Sequence, residues 1–133
     1  MRVLIDTNIL ISATLFPKSV PAKAYIKAVT YPNRGLICEQ NIDEMRRIFN
    51  RKFPTKLDAL ESFLSIALLT LELVSTPISE SEQELLIRDI KDRPILRAAI
   101  SAKADILLTG DKDFLESTVV CPKVMNAAQF IDL

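Results

Sequence analysis

Short unbroken apolar runs alternate along this chain with stretches of helical periodicity. Arg2-Val3-Leu4-Ile5, Leu36-Ile37-Cys38, Ile106-Leu107-Leu108 and Val119-Val120-Cys121 are predicted strands, and Leu71-Glu72-Leu73-Val74, which alternates partly, reads as another. Apolar runs with little polar interruption suit a parallel sheet covered on both faces. Between them, Thr7 is expected to cap a helix through Ile9-Leu10-Ile11 that Pro17 closes, and Ser19–Val29 reads as a second helix with Pro21 in its first turn. Asn41 opens a helix with the apolar stripe Ile42, Met45, Ile48 and Phe49, and Asn41 and Glu44 have capping-box spacing. Pro54 begins another helix, carrying Leu57, Leu60, Phe63, Leu64, Ala67 and Leu68. Ser79–Ile90 is predicted helical, with Ser81 and Glu84 repeating the capping spacing. Asp92-Arg93-Pro94 starts a helix with Ile95, Leu96, Ala98, Ala99, Ile100 and Ala102 on a small-residue face, and Asn126–Phe130 is a short terminal helix. Strands alternating with helices predict a three-layer α/β domain with a mostly parallel sheet of about four to five strands. With no repeat, low-complexity tract or linker, residues 1–133 read as one domain.

Composition narrows the chemistry. Hydrophobic residues make up 49% and charged residues 26%, which excludes a disordered chain. Lys+Arg and Asp+Glu are both 17, so the surface as a whole does not attract nucleic acid, and such a partner must meet a local patch or a bound metal. Met1-Arg2-Val3-Leu4-Ile5-Asp6 runs straight into a strand with no secretory leader. The apolar stretches are too short to span a bilayer, so a cytoplasmic protein with no membrane partner is expected. Cys38 and Cys121 each end a predicted strand and read as buried apolar residues. Both glycines are isolated, so no phosphate-cradling loop for a nucleotide cofactor is present. The chain has no histidine. That removes the commonest general base and transition-metal ligand, and leaves oxygen donors, which select hard cations such as Mg²⁺ or Mn²⁺.

Four acids stand where elements start or stop. Asp6 follows the first strand, Glu44 lies near the start of the helix after the second, Asp92 begins the helix before Ile106-Leu107-Leu108, and Asp111 follows that strand through Gly110, expected to turn the backbone sharply. In a parallel sheet the carboxyl ends of the strands share one edge, where open α/β sheets keep their sites. Asp6, Glu44 and Asp111 therefore converge by topology, and Asp92 joins them if its helix starts at the same edge. Taken singly, Asp6 and Asp111 also read as turn residues, Glu44 as the acid of a capping box and Asp92 as an N-cap. Clustered carboxylates raise one another's pKa, and a divalent cation at that rim explains all four together. Such a site activates water and stabilises charge at a phosphodiester.

Asp6-Thr7-Asn8, Glu44 in a helix continuing Arg46-Arg47-Ile48-Phe49, Asp92-Arg93-Pro94-Ile95-Leu96-Arg97-Ala98-Ala99 and Thr109-Gly110-Asp111-Lys112-Asp113-Phe114 follow one another in an order that resembles the PIN domain family, nearest its toxin components of toxin–antitoxin pairs, the VapC type. The last two motifs carry most of the specificity. The resemblance implies a Rossmann-like PIN fold and a Mg²⁺- or Mn²⁺-dependent endoribonuclease acting on single-stranded RNA. By position it makes Asp6, Glu44, Asp92 and Asp111 the catalytic, metal-binding acids, Asn8 a brace, Thr109 the hydroxyl beside the last acid, and Asp113 a secondary acid. Asp89 competes with Asp92, and the Asp-Arg-Pro-Ile-Leu motif favours Asp92. An antitoxin protein as partner, and a homodimer, are further implications.

Arg46, Arg47, Arg51, Lys52 and Lys56 form a basic run after Glu44, with Arg46, Arg47 and Arg51 as candidate RNA contacts; a solvated helix face is the competing explanation. Two other function classes fit less well. A phosphoaspartyl phosphatase needs a second Asp where Asn8 stands, and a receiver needs an Asp after its third strand, where none occurs. A non-catalytic PIN-like module that binds RNA or protein is the alternative, against which the retention of all four acids argues.

Overall fold

The first four predicted strands form where expected. In a computed structural model describing residues 1–133, β1 (Arg2–Ile5), β2 (Arg34–Cys38), β3 (Glu72–Val74), β4 (Ile106–Leu108) and β5 (Lys123–Met125) make one all-parallel sheet in the order β3-β2-β1-β4-β5. The helices are α1 (Thr7–Leu15), α2 (Val20–Val29), α3 (Glu39–Lys52), α4 (Leu57–Thr70), α5 (Arg93–Ser101), α6 (Lys112–Leu115) and α7 (Ala127–Ile131). They cover both faces of the sheet, giving three α/β/α layers.

Unbroken apolar strands follow from this double cover. Val3, Ile5, Ile37, Ile106 and Leu108 point into a core shared with α1, α2, α3, α4 and α7. The residues between them, Leu4, Leu36 and Leu107, point into a second core with Ile87, α5 and Phe114. Each of these side chains is essentially removed from water, which stabilises the fold by about 2 kcal/mol apiece. Gly35 lets the α2 side close onto β2, because a Cβ there would meet Leu71 Cδ2 at 2.7 Å and Val29 Cγ1 at 2.9 Å.

The strand order places the chemistry. From β1 the chain moves outward to β2 and β3, then returns past β1 to β4 and β5. The reversal opens a crevice at the carboxyl ends of β1 and β4. Because β3 also ends at that edge, the segment after it runs along the edge and α5 starts there, which brings Asp92 to the same rim as Asp6 and Asp111.

Several expectations are corrected. Ser79–Ile90 is not an α-helix. It forms two 3-10 turns, Glu82–Leu86 and Ile90–Asp92, and the Ser81/Glu84 capping box closes only the first. Glu84 and Ile87 face inward while Ile78, Leu85, Leu86 and Ile90 stay exposed, so no apolar stripe drives a helix. Val119-Val120-Cys121 is loop, and the edge strand begins at Lys123; Cys121 is consequently exposed, whereas Cys38 is buried. Asp6, not Thr7, is the N-cap of α1, accepting from the Thr7 N–H. The helix expected to open at Asn41 starts at Glu39 with Cys38 as its N-cap, so Asn41 rather than Glu44 closes the box, accepting from the Cys38 N–H at 3.3 Å. Gly110 has no positive φ, and a Cβ there would touch Asn8 at an ordinary 3.5 Å, so the turn does not demand glycine.

Candidate active site

Asp6 forms the floor of the crevice. It is 7% exposed and sits at the junction of β1 and α1. Oδ1 accepts from the Thr7 N–H at 2.9 Å and from Asn41 Nδ2 at 3.4 Å, and Oδ2 accepts from the Thr109 hydroxyl at 2.8 Å. Burial nevertheless pushes its pKa up to about 6, with Glu44 and Asp111 adding to the rise. The Asn41 amide also donates to Thr7 Oγ1 at 2.8 Å, and the Thr7 hydroxyl donates to Glu44 Oε2 at 3.1 Å. Glu44, freed from capping duty, is thus aimed by a chain of neutral donors that starts at Asp6.

Thr109 links this floor to the second acid. Fully buried at the end of β4, it accepts the Asp111 N–H at 3.0 Å through the same oxygen that donates to Asp6. Asp111 caps α6 by accepting from the Asp113 N–H at 2.9 Å. Asn8 ties the two turns together, its Oδ1 accepting the Gly110 N–H at 3.1 Å. Replacing Thr109 by valine keeps the shape but strips two carboxylate-directing bonds. Leaving the Asp111 N–H without its acceptor costs about 1–3 kcal/mol. If Thr109 positions metal ligands, divalent-ion affinity measured by calorimetry should fall about 10–100-fold and return in Thr109→Ser. Unchanged affinity in the valine variant would remove Thr109 from this role.

Asp92 is the unusual member. It stands at the start of α5 yet makes no capping bond. Its Oδ2 is sequestered from solvent with no hydrogen-bond donor. Burial, then the charge and contact of Asp111, then Asp6 and Asp89, push its carboxyl up to about 8. A buried carboxylate oxygen without a donor is costly unless a cation or proton meets it.

The structure therefore brings Asp6, Glu44, Asp92 and Asp111 to one edge. Glu44, Asp92 and Asp111 line a cavity of about 670 Å³, with Asp6 beneath it. The tightest acidic group is another set: carboxylate oxygens of Asp89, Asp92 and Asp113 lie within 4.8 Å of one another. Asp113 is already engaged by Arg88 at 3.0 Å, and Arg88 also reaches Glu116 at 2.9 Å. Asp89 thus belongs to the rim beside Asp92. The pattern of the sequence missed Thr7, Asn41, Arg88 and Lys91; capping-type polar residues directly after a strand are the one signal for the first two. Of the three candidate arginines, Arg47 and Arg51 line the cavity. Arg46 does not: it lies two residues past Glu44, about 200° around the helix, and pairs with Glu61 of α4 at 3.0 Å. No helix is long and apolar enough to cross a membrane.

Comparison with known proteins agrees with this fold. The sequence pattern of the PIN domain matches residues 2–113. A chain in the crystal structure of VapBC2 from Rickettsia felis, bound to a DNA fragment from their promoter, superposes with a TM-score of 0.71 at 19% identity, covering 95% of this chain and 98% of that one. PAE2754 from Pyrobaculum aerophilum superposes with a TM-score of 0.61 at 14% identity, covering 100% of this chain and 91% of that one. At such identities the likeness speaks for the fold. No curated protein sequence matches the chain.

Proposed function

Because the chain belongs to the PIN domain family, we propose that it is a Mg²⁺- or Mn²⁺-dependent endoribonuclease that cuts single-stranded RNA, and the toxin of a toxin–antitoxin pair. The observation that carries this reading is the donorless, sequestered Oδ2 of Asp92 facing Asp111 in a crevice of further carboxylates. An all-oxygen donor set fits a hard divalent ion. Asp6, Glu44, Asp92 and Asp111 would hold it, with Asp89 and Asp113 at the rim.

When bound, such an ion supplies an activated water and stabilises charge on a phosphodiester. The chain's own residues prepare the place. Thr7, Asn41 and Thr109 fix the orientation of Asp6 and Glu44 without adding positive charge, so the carboxylates remain available to the ion. Asn8 holds the β1 and β4 turns at a constant separation. The likeness to a chain of the VapBC2 structure supports an antitoxin protein as partner.

A fluorogenic single-stranded RNA tests the reading. Cleavage should vanish in EDTA, return with Mg²⁺ or Mn²⁺, and fall at least about 100-fold in Asp111→Asn. Full activity in EDTA or in Asp111→Asn would end the proposal.

A further inference from the structure

We propose that Arg47, Arg51 and Lys91 form a phosphate track that grips the backbone of single-stranded RNA beside the carboxylates. This rests on the nuclease reading for its substrate and adds how that substrate is held. Glu44, Arg47 and Arg51 stand at positions i, i+3 and i+7 of α3, so they share one face of the helix. The stripe from Glu44 to Arg51 spans about 10 Å, and Ile48 lines the cavity with both arginines. Lys91 reaches the same cavity from the 3-10 turn before α5. The cleft thus has an acidic end at the sheet edge and a cationic flank running along α3.

These cations are available to a ligand. The ion pairs of the molecule engage Arg2, Arg34, Arg46, Arg88 and Arg97, and none engages Arg47, Arg51 or Lys91. All three are exposed. Arg46, next to Arg47 in sequence, supplies an internal control because Glu61 already neutralises it. No aromatic residue lines the cavity. The grip is therefore on the charged backbone rather than on stacked bases.

Four carboxylates and three cations line the cavity, so binding is measured with Mg²⁺ present. The probe is a fluorescein-labelled, mixed-sequence single-stranded RNA carrying phosphorothioate linkages to slow cleavage. Its affinity is read by anisotropy across a series of salt concentrations. For a single strand each phosphate contact contributes about 0.7 to the slope of log K against log salt. Arg47→Ala, Arg51→Ala and Lys91→Ala should each lower the slope by about that amount, whereas Arg46→Ala should leave it unchanged. All four should keep the melting temperature of the parent, since these side chains are exposed. Equal slopes for the parent and the three track variants would overturn the track, even if RNA were still cut. Loss of slope in those variants without any metal-dependent cleavage would instead keep the track and refute the nuclease. A fall in slope in Arg46→Ala as large as in Arg47→Ala would show general charge attraction and also overturn it.

Discussion

Asp92→Asn is expected to make the metal-free protein more stable while abolishing the metal-dependent cleavage proposed above. The stability effect follows from the direction of the pKa shifts. Asp6 and Asp92 are both raised from 3.8, to about 6 and about 8. A carboxyl whose folded pKa is raised contributes stability below its unfolded value, and that contribution is lost as pH rises through the folded pKa. The metal-free protein should therefore weaken progressively from about pH 4 to about pH 8, as the buried rim becomes fully anionic. Asparagine supplies a neutral side chain of the same shape and relieves the repulsion with Asp111. At pH 8 in EDTA, calorimetry should show the variant melting about 5 °C higher than the parent, with the gap closing toward pH 5. Mg²⁺ or Mn²⁺ should raise the melting temperature of the parent and leave the variant nearly unmoved, because binding to the folded state alone is what stabilises. A variant that melts lower than the parent at pH 8 in EDTA would show that Asp92 is not strained by its neighbours.

Glu84→Gln is expected to destabilise the fold strongly although it lies outside the cleft. Glu84 and Arg97 form the one ion pair of the molecule in which both side chains are largely removed from water, 3% and 15% exposed. The contact is two-pronged, at 2.7 and 2.9 Å. Glu84 also accepts the Ser81 N–H, and Arg97 donates to the Pro77 carbonyl. These bonds fasten the stretch between β3 and α5, which has little regular structure of its own. Glutamine cannot answer the arginine's charge, and an uncompensated buried cation is strongly destabilising. The melting temperature should drop by about 10 °C or more. The bond with Arg97 holds the Glu84 carboxyl down to about 2. Its stabilising contribution is therefore present above the ordinary glutamate range near 4.5 and is lost as pH falls toward 2, so the variant should also lose less stability on acidification than the parent does. A melting temperature within about 2 °C of the parent would contradict this account.

What could be read from the sequence follows from what kind of force places each part. The three inner strands, β1, β2 and β4, are visible because burial on both faces leaves Val3-Leu4-Ile5, Leu36-Ile37-Cys38 and Ile106-Leu107-Leu108 without a polar residue, and parallel topology then carries Asp6, Glu44 and Asp111 to one edge. Asp92 arrives for a reason the pattern does not display: the segment before it travels along that edge. That segment defied the helical reading because an ion pair holds it, and Arg97 gives no periodic sign that Glu84 is its partner. Val119-Val120-Cys121 looked like a strand by residue type, yet the edge strand Lys123–Met125 buries only Met125, so an apolar run was not needed there. Arg46 and Arg47 are indistinguishable in composition, and only the rotation of about 100° between successive helical residues sends one to Glu61 and the other to the cleft.

The strand order has a dynamic corollary. Asp6 and Thr109 follow two inner strands, β1 and β4, whose amides are expected to exchange with solvent only when the whole sheet comes apart. Asp89, Lys91 and Asp92 belong to a stretch fastened chiefly by side chains, which can detach by itself at a smaller free-energy cost. One half of the cleft is therefore as durable as the protein, while the other half can breathe.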